Sequence, residues 1–384
     1  MKYKIPFNKP FIVGKELYNI AQAVQQGRLS GDGEFTRRCH AWLESHLGCN
    51  KALLTHSGTA ALEMAAHLCG IEPGDEVIMP SFTFVSTANA FVARGAVPVF
   101  VDIRSDTLNI DEQKIAAAIG PKTKVIVVVH YGGMACAMDS IMALASRHGL
   151  WVVEDAAQAL LCRDQGRCLG TIGHLGCLSF HETKNIISGE GGALLVNEPE
   201  LEERAEIIWE KGTDRKKFYR GEVDKYTWVD VGSSYLPSEL TAAFLMAQFE
   251  EAQKIITVRK RLFNHYAERL QPLAQQGYIQ IPDVRIHQHH NGHLFYILTE
   301  SQWQRSRLIH HLKQTSIYAV FHYVPLHSSP AGRRFGRVAS SDMAVTDRIS
   351  ERLLRLPLYF EMTLDDIDFV VAQIEHFFQT DRAL

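Results

Sequence analysis

Between residues 50 and 197, short β-branched runs alternate with stretches in which small and apolar residues recur at helical spacing. The runs cover 76–79, 97–102, 125–129, 151–154 and 193–197, and they are apolar throughout rather than alternating with polar residues. A strand solvated on one face alternates, whereas a strand covered on both faces does not have to. The pattern therefore predicts an α/β domain, a mostly parallel sheet with helices on both sides. One helix starts at Ser57-Gly58-Thr59, a hydroxyl residue ahead of a periodic run to Cys69, and its first turn presents free amide groups. In open parallel sheets ligands gather at the carboxyl ends of the strands, and Asp155 stands one step past the run 151–154.

From residue 249 the pattern changes. A long helical stretch to 276 is followed by a strand-like 293–298, a helix over 302–314, a strand-like 317–323 and an amphipathic terminal helix over 365–378. Thr363-Leu-Asp-Asp366 precedes that last helix as a capping box, with Asp in place of the usual Glu or Gln. Residues 1–248 thus read as a large α/β domain and 249–384 as a smaller α+β domain, joined without a Pro/Gly-rich linker. No internal repeat or heptad array interrupts them.

The composition narrows the function classes. With 384 residues, 46% hydrophobic and a net charge of −3, the chain can bury a large core. The longest basic cluster, Arg215-Lys-Lys217 with Arg220, is too short for a nucleic-acid face. The run 125–129 is too short to span a bilayer, and the N-terminus lacks a signal peptide's apolar core; a soluble protein without membrane partners is expected. Seven cysteines at irregular spacing predict reduced thiols and a cytoplasmic location. His287, His289, His290 and His293 cluster around Asn291-Gly292, but their spacing reads as a polar loop, and no metal is assigned. There is no P-loop, and Gly31-Asp-Gly33 lacks the third glycine of a dinucleotide fingerprint.

The chemistry concentrates in Glu154-Asp-Ala-Ala-Gln158, Ser179-Phe-His-Glu-Thr-Lys184 and Gly189-Glu-Gly-Gly192. A lysine can form a Schiff base with an aldehyde, and a carboxylate held against a pyridine nitrogen keeps that ring protonated as an electron sink. Lys184 and Asp155 in these roles imply pyridoxal 5'-phosphate. Its phosphate needs donors, which Gly58 and Thr59 supply at a helix start, with a further hydroxyl from Ser179. Taken singly, each of these residues has an ordinary structural reading as a cap, a turn or a surface charge; only the combination is specific.

In those motifs, together with the Ser30-Gly31 loop, the run Pro80-Ser-Phe-Thr-Phe-Val-Ser-Thr-Ala-Asn89 and Val324-Pro-Leu-His327, the chain resembles the DegT/DnrJ/EryC1/StrS sugar aminotransferases over nearly its whole length. In His181-Glu-Thr-Lys-Asn185, Asp224-Lys-Tyr-Thr-Trp228 and Gly232-Ser-Ser-Tyr-Leu236 it is most similar to the bacterial members that make dTDP-4-amino-4,6-dideoxygalactose. The resemblance implies a type I aminotransferase fold, with Lys184 bonded to the cofactor, Asp155 at the pyridine nitrogen, Gln158 at its phenolic oxygen and Phe84 stacked on the ring. It implies L-glutamate as donor and a dTDP-4-keto-6-deoxy sugar as acceptor, approached by Ser30, His181, Glu190, His322 and His327. Glu190 matches the form the family uses for transfer at the sugar's C4. The resemblance also implies a homodimer with shared active sites, in which an asparagine reaches the partner's phosphate. This chain has the shorter Ser234 there, which leaves that role open. Two rivals remain at this stage: a relative acting at the sugar's C3, by transamination or by the dehydration for which histidine replaces the lysine, and a non-catalytic regulator on the same fold.

Overall fold

The computed structural model describes residues 4–283, 289–339 and 342–381; His287 lies outside them. An eight-stranded sheet forms the larger layer, in the order Lys51–Thr55, Gly192–Val196, Leu175–Ser179, Trp151–Asp155, Thr123–Val129, Glu76–Pro80, Val97–Val101 and Arg337–Val338. Only Gly192–Val196 runs antiparallel to its neighbours; the other pairings are parallel. The central strand shows why the runs are apolar throughout: Val125, Ile126, Val127 and Val128 are all fully buried, because helices cover both faces. Each such side chain contributes about 1.5–3 kcal/mol on leaving water.

The parallel strands end at one edge, so Thr55, Pro80, Val129, Asp155 and Ser179 deliver the segments that follow them to the same side of the sheet. Three of the large-sheet strands are not apparent from the pattern of runs: Lys51–Thr55 opens on a lysine, glycine and cysteine interrupt Leu175–Ser179, and Arg337–Val338 is only two residues long.

The smaller layer is a three-stranded antiparallel sheet in the order Phe295–Leu298, Leu353–Leu356, Val320–Phe321, packed with the helices Ala252–Gln275, Gln302–Gln314 and Leu364–Asp381. The helical stretch read from 249 begins instead inside a separate helix, Glu239–Glu250, and Glu251 leaves helical geometry before Ala252. Within 317–323 only Val320–Phe321 joins the sheet, because Ile317 bridges Ile5 near the N-terminus. The terminal capping box forms as expected: the Asp366 amide donates to Thr363 Oγ1 at 3.1 Å, and the Thr363 amide to Asp366 Oδ2 at 3.0 Å. The chain passes between the layers more than once, since Ile5 sits in the core of the small sheet and Arg337–Val338 edges the large one.

One buried polar cluster supports the strand that carries Asp155. Glu154 is fully buried and accepts from the amides of Gly170 at 2.8 Å, Ile172 at 2.7 Å and Gly173 at 2.5 Å. The Cys136 amide donates to His130 Nδ1 at 3.2 Å, so the ring proton sits on Nε2 and donates to Glu154 Oε2 at 2.8 Å. Burial would raise the Glu154 pKa, but the His130 bond and the Gly173 and Gly170 amides outweigh it and hold it below the usual value. Glu154→Gln replaces an acceptor-only group by one that turns an NH2 toward these donors. It should cost about 3 kcal/mol or more, measured by denaturant unfolding; an unchanged midpoint would contradict the account.

Candidate active site

At the sheet edge the turn Thr55-His-Ser57 feeds the helix Gly58–Leu68. Ser57 caps it, its hydroxyl accepting from the Ala60 amide at 3.1 Å. Gly58 and Thr59 occupy the first turn, where amides lack an intrahelical carbonyl and the helix dipole favours an anion. Two close approaches shape this cradle. A Cβ on Gly58 would lie 2.9 Å from Ser179 Cβ, and one on Gly192 would lie 2.5 Å from the Ser57 carbonyl oxygen. Glycine at both positions lets the helix start press against the strand ends, bringing Ser179 beside it. The Thr59 hydroxyl lies 2.7 Å from that of Ser86, which ties this first turn to the helix that follows Phe84.

Asp155 is buried, and its position is set on two sides. Thr87 Oγ1 donates to its Oδ2 at 2.7 Å and the Ala157 amide to its Oδ1 at 3.2 Å. Thr87 in turn shares a 2.8 Å hydrogen bond with Thr83. A carboxylate has about four acceptor positions, so capacity remains for a ring N–H.

Lys184 lies half-buried in the loop after the strand Leu175–Ser179, its amide donating to the His181 carbonyl at 2.8 Å. Burial pushes its ammonium down to about 8, helped by the Arg355 guanidinium and opposed by the Asp155 carboxylate. A neutral amine is the form that attacks a carbonyl, so cofactor capture by the apoprotein should accelerate as pH rises and level off above a midpoint near 8. Visible absorbance on adding pyridoxal 5'-phosphate measures this. A midpoint near the ordinary lysine value would contradict it.

Gln158 is buried; its Oε1 accepts from the Gly132 amide at 2.6 Å, and its Nε2 donates to the Tyr323 hydroxyl at 3.0 Å. Phe84 is 57% exposed, with its ring centre 6.5 Å from that of Tyr323, so a ring face is open to stacking. His322 joins this wall through Tyr131, with Nδ1 3.0 Å from the hydroxyl. His181 lies 2.8 Å from the Thr183 hydroxyl and 3.6 Å from the exposed Glu190 carboxylate.

Other predicted residues are placed differently. His327 has both ring nitrogens engaged, by the Ser81 hydroxyl at 2.8 Å and the Asp347 carboxylate at 3.3 Å. Ser30 and Ser234 are exposed, in segments that meet where Gly31 packs against Leu236 and Pro237. None of these three makes a hydrogen bond to Lys184 or Asp155.

Several site residues were not singled out from sequence. Asn291 donates to the carbonyls of Gln158 and Leu160 at 3.0 and 3.1 Å, and its own carbonyl accepts from Asn185 at 2.9 Å. His293 meets Asn185 Oδ1 at 3.0 Å. The polar loop before the small sheet therefore clamps the lysine loop to the Gln158 segment. Among the described residues no group of three or more His, Cys, Asp or Glu is placed to hold a metal ion. Thr87 and Arg355 had weaker signals, a hydroxyl in an apolar helix and a single charge in Leu353-Leu-Arg-Leu356.

The arrangement fits pyridoxal 5'-phosphate: an amide cradle for the phosphate, an acid for the ring nitrogen, an amine for the aldehyde and an aromatic face for the ring. Comparison with known proteins agrees. The model of the DegT/DnrJ/EryC1/StrS aminotransferase family matches residues 10–375. The chain is 33% identical to the spore coat polysaccharide biosynthesis protein SpsC of Bacillus subtilis, covering 96% of each. It is 30% identical to the GDP-perosamine synthase of Caulobacter vibrioides, covering 97% of this chain and 98% of that one. The solved aminotransferase TlmJ of Streptoalloteichus hindustanus superposes with a TM-score of 0.88 at 27% identity, covering 99% of both chains.

Proposed function

We propose, from the premise that the chain belongs to the DegT/DnrJ/EryC1/StrS aminotransferase family, the reaction that this member carries out. It is a pyridoxal phosphate-dependent nucleotide-sugar aminotransferase with the type I aminotransferase fold. The proposal is that it takes an amino group from L-glutamate and transfers it to C4 of dTDP-4-keto-6-deoxy-D-glucose, giving dTDP-4-amino-4,6-dideoxy-D-galactose. The observation that carries the amino-transfer chemistry is Lys184, half-buried and shifted toward its neutral form, in the field of Asp155. Bound cofactor supplies the aldehyde and the electron-accepting ring. Asp155, oriented by Thr87, keeps the ring nitrogen protonated; Gln158, oriented by Gly132, faces the phenolic oxygen; Gly58, Thr59 and Ser179 hold the phosphate. Nζ of Lys184 would take the proton from the donor carbon that bears the amine and deliver it to the carbon that was the cofactor's aldehyde, the 1,3-shift that amino transfer requires.

The choice of C4 rests on Glu190 in Gly189-Glu-Gly-Gly192, and the nucleotide and sugar on the motif likeness around 181–185, 224–228 and 232–236. Nucleotide-linked sugar as the substrate class is supported by the relative named GDP-perosamine synthase. Ser30, His181, Glu190, His322 and His327 form the proposed sugar-nucleotide side. A homodimer completes the reading. Leu17, Tyr18, Tyr226 and Trp228 are 77, 64, 52 and 77% exposed, in the segments that carry Ser30 and Ser234, and a second copy would cover them and bring Ser234 to its neighbour's phosphate. Seven buried thiols suit a cytoplasmic setting, and among the described residues no helix is long and apolar enough to cross a membrane. Purified enzyme incubated with glutamate and dTDP-4-keto-6-deoxyglucose should yield the 4-amino galacto product by NMR. A 3-amino product, or none, would overturn the assignment.

A further inference from the structure

His293 stands just ahead of the strand Phe295–Leu298 and is 6% exposed. The Asn291 carbonyl only accepts, so Asn185 gives it Nδ2–H at 2.9 Å and turns its Oδ1 the other way. That Oδ1 also only accepts, so the His293 nitrogen 3.0 Å from it, Nδ1, carries the ring proton. The tautomer is thereby fixed. Nε2 keeps a lone pair, and among the described residues it makes no hydrogen bond. The groups whose charge acts on this imidazole are Lys184 from the lysine loop, Arg355 from the strand Leu353–Leu356, Arg259 from the helix Ala252–Gln275, and His322. All four are bases, and after burial itself they hold the ring neutral, with Lys184 the strongest of them.

A buried lone pair among positive charges is an acceptor for a cationic donor. Arg259 is committed elsewhere, its Nε to the Gly292 carbonyl at 3.1 Å and its Nη2 to those of His293 and Leu358 at 2.8 and 3.1 Å. Arg355 directs Nη1 to His322 at 3.4 Å, and His322 turns its other nitrogen to Tyr131. The donor that remains is Nζ of Lys184, one position before the asparagine that His293 holds. We propose that His293 is a positioning residue for Lys184: its Nε2 accepts a hydrogen bond from the ammonium and aims that group during the proton shift. The shift itself rests on the transaminase reading. One N–H of the ammonium carries the transferred proton while a second stays on Nε2, so no proton leaves for the imidazole. Lys184 remains the base.

The pH dependence of cofactor capture by the apoprotein reads the Lys184 amine directly. In His293→Asn the amide nitrogen stands where Nδ1 stood and keeps the bond to Asn185, while the acceptor at Nε2 is gone. A hydrogen bond to the ammonium favours the charged form, so its loss should move the capture midpoint down from about 8, by about one unit. Loosened packing alone would admit water and move the midpoint up, toward the ordinary lysine value. His293→Gln puts an amide oxygen where Nε2 stood, so its midpoint should stay near that of the wild type, and it tests the proposal should the asparagine variant not fold. In the holoenzyme, His293→Asn should slow bleaching by glutamate on the order of tenfold. The loss should fall on the rate constant rather than KM, with a larger isotope effect for glutamate deuterated at its reacting carbon. A midpoint that is unchanged or raised in His293→Asn, or displaced in His293→Gln, would overturn the proposal, as would an unchanged bleaching rate and isotope effect. Wild-type enzyme that no amino acid bleaches would instead sink the transaminase reading, and the capture midpoints would then decide the hydrogen bond alone.

Discussion

Lys184→Ala should leave a folded protein that binds the cofactor weakly and turns over at least about 10⁴-fold more slowly. One amine does two tasks, anchoring the aldehyde and carrying the proton, so no single neighbour replaces it. His322 and His293, two imidazoles that feel the Lys184 charge, are both held well below their ordinary pKa by burial first and by the Arg355 and Lys184 charges next. His293 is further committed to Asn185 at 3.0 Å and His322 to Tyr131 at 3.0 Å. The fold should survive, because Lys184 has no ion-pair partner among the described residues and its removal relieves a partly desolvated charge rather than stranding one. Steady-state kinetics with a circular-dichroism melt checks both halves; turnover near the original rate would reject the lysine's role.

Asp155→Asn is the second large effect. The amide is isosteric, and the Thr87 hydroxyl can turn to accept from it while donating to Thr83, so the local packing is kept. What is lost is the negative charge that holds a proton on the ring nitrogen. We expect a fall of at least about 10²-fold in kcat, with cofactor still bound. Unchanged kinetics would show that the electron sink does not depend on this carboxylate.

Much of this site is legible in the linear chain because each piece has a local cause. Asp155 follows an apolar strand, Gly58-Thr59 follows a capping serine, and Lys184 sits in a loop of small and polar residues. The sheet then brings these ends together, since parallel strands deliver their carboxyl ends to one edge. The residues that escape are those whose role arises from long-range packing. Asn291 joins segments more than a hundred positions away, and Arg355 reaches the site from a strand of the smaller sheet. Leu175–Ser179 was missed for a related reason: Gly176 leaves room for Gly170, whose carbonyl oxygen would lie 2.0 Å from an added Cβ, so its glycine reflects a tertiary contact that interrupts the strand signal. The break at Glu251 likewise has no glycine or proline to announce it.

Reduction of the holoenzyme with borohydride, followed by peptide mass spectrometry, tests the central claim most directly. The account predicts a single added pyridoxyl phosphate mass on the peptide containing Lys184, absent from the Lys184→Ala protein. The same mass on a different lysine, or none on any, would contradict it.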